Sequence, residues 1–234
     1  GQVIHIAILF SYFFTKKCGL RLVRPAGFKS MLKPIIATGF ASFIVDIALG
    51  VVSTIFNNQI MFYLGADALA VYGVIVNVST MVQCFGYGIG QAVQPIIAYN
   101  YGAKKPERID ETLKISAVFS FGLSALCFAF VMAFPKQITS FFMSATPSVL
   151  AAAPGIMRRY FPAFIFLIYN VVSTYYFQAI LARGTSIFIS VLRSVVLSSA
   201  MIYILPALFG GNALWIAMPV TEAAVFAVVA VCIN

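Results

Sequence analysis

Two acids stand where acids are costly. Asp46 lies 13 residues after Lys33, and Glu222 lies 10 residues after Asn212, each within a long apolar run. At a helical rise of 1.5 Å per residue these offsets put them about 20 Å and about 15 Å into a span, near the middle of a bilayer. An acid there costs at least ~2.5–3.5 kcal/mol, so it marks an ion pathway or proton relay unless a fixed partner compensates it. Removal from water favours uptake of a proton or another cation. Two structural alternatives stay open for both acids. One is a pairing with Arg193, which also falls inside a span; the other is a protonated carboxyl hydrogen-bonded between helices. Within its own helix Asp46 has only the hydroxyls of Thr38, Ser42, Ser53 and Thr54, which cannot neutralise a charge. Arg193 sits about 10 Å from its helix end, an offset of roughly 10 Å from Asp46. Asp46 is therefore the expected ion-coupling residue, with Glu222 as the second candidate.

A polar arc accompanies the acids. At 100° per residue Gln83, Gln94, Tyr87, Thr80, Gln91 and Asn77 fall in that angular order within about 120° of one helix. Amides facing lipid are expensive, so the arc is expected to face other helices or a water-filled cavity. Amides that glue helices together are the plainer reading. A second polar set, Asn170, Thr174 and Gln178, recurs at i, i+4 and i+8 in a later span, beside Tyr169, Tyr175 and Tyr176. Aromatic faces and amides suit flat organic cations through cation–π attraction. Asn77, Tyr87, Gln91, Gln94, Asn170, Thr174 and Gln178 are thus the expected cavity residues. Gly86 and Gly90 form a separate GxxxG face suited to close helix packing.

Other chemistry is excluded. The four cysteines, Cys18, Cys84, Cys127 and Cys232, are scattered without a CxxC pair, and His5 is the only histidine, so a zinc or histidine-based metal site is not expected. HExxH, GxSxG, Walker and GxGxxG motifs are absent from the sequence, so an enzyme is not expected and any pumping must draw on an ion gradient.

The elements that must position these residues follow from composition. Of 234 residues 62% are hydrophobic and only 9% charged, against about 25% charged in a soluble domain. The fold class is all-α, a polytopic transmembrane helical bundle. Apolar segments are expected at about 1–15, 34–64, 67–100, 106–134, 160–182, 186–209 and from 213 onward. Segment 136–159, with Pro147, Pro154, Arg158 and Arg159, reads as a loop plus an interfacial helix. Pro95 is expected to bend the third helix. The net charge of +9 sits in loops, where it sets orientation and does not imply nucleic acid. Six Lys and Arg in 16–33, four in 102–114 and Arg183 face three on the other side, so the richer side and the C-terminus are expected in the cytoplasm.

Gln94-Pro95-Ile96-Ile97-Ala98-Tyr99-Asn100-Tyr101-Gly102-Ala103-Lys104-Lys105 resembles the end of the second helix of a lobe in multidrug and toxic compound extrusion (MATE) transporters. Leu64 to Gly73 resembles the turn before that helix. Gln178-Ala179-Ile180 with Ser190 to Arg193, and Trp215 to Glu222, resemble the end of the lobe, where the family's usual acid is often Asp. The resemblance implies a C-terminal six-helix lobe over 34–234, a basic cytoplasmic linker over 16–33, and residues 1–15 as the last helix of a missing N-terminal lobe. It further implies an antiporter in the plasma membrane, coupled to H+ or Na+, that exports organic cations by alternating access. Its partners would be the bilayer, its cation substrates and the other lobe, with no cofactor beyond a transported Na+ or H+. Two alternatives stay open: a lipid-linked saccharide flippase of the same superfamily, which would want basic cavity residues for phosphate, and a non-transporting membrane scaffold, which would have no cavity.

Overall fold

The computed structural model describes residues 50–233 together with Ile6, Phe10, Ser11, Leu32 and Ile47. Asp46 lies outside the described residues, as do nearly all of 1–15 and of the linker 16–33. The chain divides into two compact units, Gly1–Phe43 and Ile44–Asn234, and the helices below belong to the second.

Every regular element among the described residues is helical. Helix α1 covers 50–63, and α2 runs Ala66–Gly102. Helix α3 is Pro106–Ala133 and α4 is the short Pro135–Phe142. Helix α5, Pro147–Tyr160, passes through a single 3-10 turn at Phe161–Ala163 into α6, Phe164–Ala179. Helix α7, Arg183–Val191, continues through a π-helical segment, Leu192–Leu197, into α8, Ser198–Phe209. A 3-10 segment, Gly211–Ile216, opens α9, Ala217–Ile233. Five continuous rods among the described residues are long and apolar enough to cross a membrane.

The turn chemistry explains the breaks. Gly65 and Gly210 both adopt φ +82 with nearly extended ψ, a backbone region open essentially to glycine alone. Pro106, Pro135 and Pro147 each sit at a helix start, where the missing N–H has no helical partner to lose. Pro95 lies inside α2, which continues past it to Gly102.

One boundary differs from expectation. The rod containing the fifth span begins at Pro147 instead of about 160. Thr146 caps it, its hydroxyl accepting from the Val149 N–H at 3.4 Å. Ala153 and Met157 are fully buried, while Arg158 and Arg159 point outward from the same helix. Prolines and arginines that read as interruptions are instead spread over one helical surface, with the arginines on its exposed side.

The core that holds the cavity wall is aromatic. Phe56 of α1 stacks on Tyr72 of α2 at 4.6 Å, and Tyr160 and Trp215 meet both rings at 6.4 Å. Offset and edge contacts of this kind add ~0.5–1.5 kcal/mol beyond the area they bury. Away from this core the exterior is apolar, with Val118, Phe119, Leu208 and Phe209 largely exposed. That inversion of the soluble pattern suits helices whose outer solvent is lipid.

Candidate functional site

The site begins with two helices that approach closely. A Cβ on Gly86 would lie 3.0 Å from the Val171 Cβ, and one on Gly90 would overlap the Tyr175 ring. The GxxxG face thus packs α2 against α6, as its spacing suggests. Seating α2 there turns its polar arc toward a cavity of about 540 Å³. Concave sites for small ligands commonly hold ≈ 300–1,000 Å³.

Part of the expected set lines this cavity. Tyr87 from α2 and Thr174 and Gln178 from α6 are on its wall, with Thr80 and Gln83. The Tyr87 and Tyr175 rings meet edge to face at 6.5 Å. Gln94 reaches Gln178 through a long hydrogen bond, its Nε2 donating to Oε1 at 3.4 Å. Asn77 and Gln91 are exposed and do not belong to the described wall. They occupy the trailing edge of the arc, which is wider than the cavity wall it feeds. Asn77 instead donates to the Gly73 carbonyl of its own helix at 2.9 Å.

The tyrosines of α6 also divide. Tyr175 lines the cavity, whereas Tyr169 stacks on Phe121 at 5.2 Å and packs edge-on against Phe226. Tyr176 lies against Phe177.

A polar brace at the cavity joins three elements. Glu222 of α9 is 1% exposed. The Arg193 Nε donates to its Oε1 at 2.8 Å and its Oε2 at 3.1 Å, and Nη2 lies 2.8 Å from Oε1. Asn170 of α6 donates through Nδ2 to Glu222 Oε2 at 2.7 Å and to the Glu222 carbonyl at 2.9 Å. Asn170 is therefore a fully buried strut for the acid and not a wall residue. Glu222 has taken the fixed partner, Arg193, that the sequence left open for both acids.

The arginine of this pair sits in the π-helical segment, and the Ser198 hydroxyl donates to the Arg193 carbonyl five residues back at 2.7 Å. Single π turns inside α-helices occur frequently at functional sites. Ser190, Ser194 and Ser198 all reach the cavity. Their i, i+4, i+8 spacing is a readable signal of a polar face on this span. Tyr72 and Tyr160 also line the cavity from the aromatic core. Among the described lining residues Glu222 and Arg193 are the only charges, and they oppose each other.

A multi-pass helical membrane protein with a polar, aromatic cavity is the class these features define. Residues 34–204 match the family model described as MatE, and the chain belongs to that family. It is 27% identical over 130 residues to the multidrug export protein MepA of Staphylococcus haemolyticus (strain JCSC1435), covering 56% of this chain and 28% of MepA. Among solved structures it resembles an outward-facing multidrug resistance MATE family transporter of the MOP superfamily. That match has a TM-score of 0.82 and 18% identity, over 97% of this chain and 51% of the other. A MOP superfamily transporter from Pyrococcus furiosus, described as having a binding pocket of reverse polarity, matches with a TM-score of 0.83 and 14% identity, over 98% and 52%. The chain spans about half the length of these solved transporters.

Proposed function

We propose that this chain is the C-terminal lobe of an antiporter, driven by H+ or Na+, that exports organic cations by alternating access. The observation that carries the reading is the 540 Å³ cavity with tyrosine rings, amides and hydroxyls on its wall. Aromatic faces attract cations, and hydroxyls and amides accept varied geometries without demanding one substrate. Tyr87, Tyr175, Thr174 and Gln178 are the contact residues of this proposal; Gln94 is off the described wall and acts through its hydrogen bond to Gln178. The name of the relative MepA, a multidrug export protein, supports the same direction.

Coupling is assigned to Asp46. Arg193 is held by Glu222, which leaves Asp46 to an exchangeable compensating charge: a proton, Na+ or the substrate itself. Glu222 serves as a fixed brace whose charge is already matched. A flippase for phosphate-bearing lipids would need unpaired basic groups, whereas the one described base on the wall is paired. A scaffold would need no cavity at all. The lobe is placed in the plasma membrane with its C-terminus in the cytoplasm, following the bias of Lys and Arg between loops.

Transport by the full-length protein in vesicles tests this. An imposed pH or Na+ gradient is expected to drive movement of a fluorescent dye cation, and an ionophore that collapses the gradient is expected to stop it. Dye movement indifferent to both gradients would refute the coupling, and failure to move any cation would refute the substrate class.

A further inference from the structure

A second cavity lies on another side of α2, outside the site above. It holds about 620 Å³ between α2, the far end of α3 and the short helix α4. Val78, Met81, Val82 and Phe85 form one wall, and Cys127, Phe130, Val131 and Phe134 form another. Gln137, Ile138, Phe141 and Phe142 close it from α4. Among these residues Gln137 alone carries a strongly polar side chain. The groove exists because α3 stops at Ala133 and Pro135 restarts the chain as α4. Burial of Pro135, Ile138 and Thr139 pins α4 in place. The Thr139 hydroxyl is near the Met157 sulfur of α5 at 3.9 Å.

We propose that this groove binds an anionic phospholipid, one acyl chain along the Phe85–Phe130–Phe134 wall and the phosphate beside Lys136. Three observations select that occupant. The groove opens on the outer, apolar surface of a membrane-spanning bundle, with Phe130, Phe134 and Phe141 about half exposed or more. Its polarity is graded: Cys127 and Phe85 lie deeper along their rods, and Gln137 and Lys136 stand where α4 begins. Lys136 is exposed and has no carboxylate partner among the described residues. Depth agrees with this arrangement. Cys127 lies 13 residues past Lys114, the last charge of α3, about 20 Å along its axis. The groove therefore starts inside a ≈ 30 Å hydrocarbon core and reaches its far edge, at headgroup level, near Phe134. A soluble ligand would need polar groups to fix its orientation; here a single positive charge at one end suffices for a lipid. The inference rests on membrane insertion alone and not on the proposed transport activity.

Photoreactive phospholipids test it on the full-length protein in phosphatidylcholine vesicles. Phosphatidylglycerol with a diazirine near the top of its acyl chain is added at low mole fraction, and labelled residues are mapped by mass spectrometry. Labelling is expected to concentrate at 78–85 and 127–142 over the exposed Ile115, Val118 and Phe119 of the same α3. Lys136→Glu is expected to cut groove labelling by about fivefold or more, since one basic side chain near an anionic lipid surface is worth about that much. Cys127→Phe, which fills the groove without adding charge, is expected to remove groove labelling and leave labelling at 115–119 intact. Retained labelling at 115–119 also reports that each variant has folded. Even labelling along α3, insensitive to both variants, would mean annular lipid only and would overturn the proposal. Equal groove labelling by a phosphatidylcholine probe would overturn the role given to Lys136.

Discussion

Two cavities of similar size, about 540 and about 620 Å³, both draw a wall from helix α2. One takes Thr80, Gln83 and Tyr87 from it, the other Met81, Val82 and Phe85. The residues alternate almost one by one along the chain, yet helical rotation sends them to different sides. What separates the two regions is the treatment of charge. On the polar side a largely buried ion pair is braced by Asn170; on the apolar side Lys136, next in sequence to the lining Gln137, is left at the surface. Volume alone therefore says little about what a cavity in a membrane protein binds. The placement and pairing of a few charges decides it.

Breaking the ion pair is the strongest challenge to this contrast. Arg193→Ala would leave Glu222 buried and uncompensated, and removal of one partner of a buried pair costs ~3–5 kcal/mol. A large fall in the thermal unfolding temperature in detergent is expected. Arg193→Met combined with Glu222→Leu removes both charges and is expected to restore most of that loss. If the single and double variants were equally unstable, the pair would not be the brace described here.

A smaller effect sharpens the role of the α2–α6 contact. Gly90→Leu forces a side chain into the Tyr175 ring, and overpacking of this kind costs ~1–3 kcal/mol. Adding Tyr175→Ala is expected to recover part of the loss. Unfolding curves that show no recovery would place the clash elsewhere.

Smaller again is the contribution of the cavity ring itself. Tyr175→Leu keeps apolar bulk but removes the π face, and is expected to weaken dye binding by ~0.5–2 kcal/mol. Fluorescence titration of a dye cation reads this directly, and unchanged affinity would remove the aromatic wall from recognition. At the bottom of the scale, Arg108 and Glu111 pair at 3.3 Å with both side chains well exposed. Arg108→Ala is expected to change stability by ~0–1 kcal/mol at most, and a larger shift in the unfolding temperature would show that the exposed turn bears on the bundle.

The spans and most turns are legible in the sequence because membrane insertion is written in plain composition. Gly65-Ala66-Asp67 and Gly210-Gly211-Asn212 read as turns for the same reason that only glycine takes their backbone. The start of the fifth rod is not legible. Pro147, Pro154, Arg158 and Arg159 look like interruptions in one dimension, and only packing shows the arginines on the outer side of a continuous helix. The polar arc of α2 is legible in direction but not in width, so angular position alone groups Asn77 and Gln91 with residues they do not join. Spacing likewise groups Asn170 with Thr174 and Gln178, yet the acid it holds comes from another helix. Periodicity shows a face, and cannot show which distant residue meets it. Arg193 meets Glu222 from within a π-helical segment, and no residue pattern announces that segment.

The proposed function gives the two acids different work: Glu222 is held by Arg193, and Asp46 would exchange its compensating charge. Gradient-driven efflux of a dye cation by the full-length protein in vesicles tests this division most directly, with Asp46→Asn set against a charge exchange of Arg193→Glu with Glu222→Arg. Asp46→Asn is predicted to abolish gradient-driven efflux while some dye binding remains, and the exchanged pair to retain substantial efflux. Undiminished ion-driven efflux by Asp46→Asn would contradict the division.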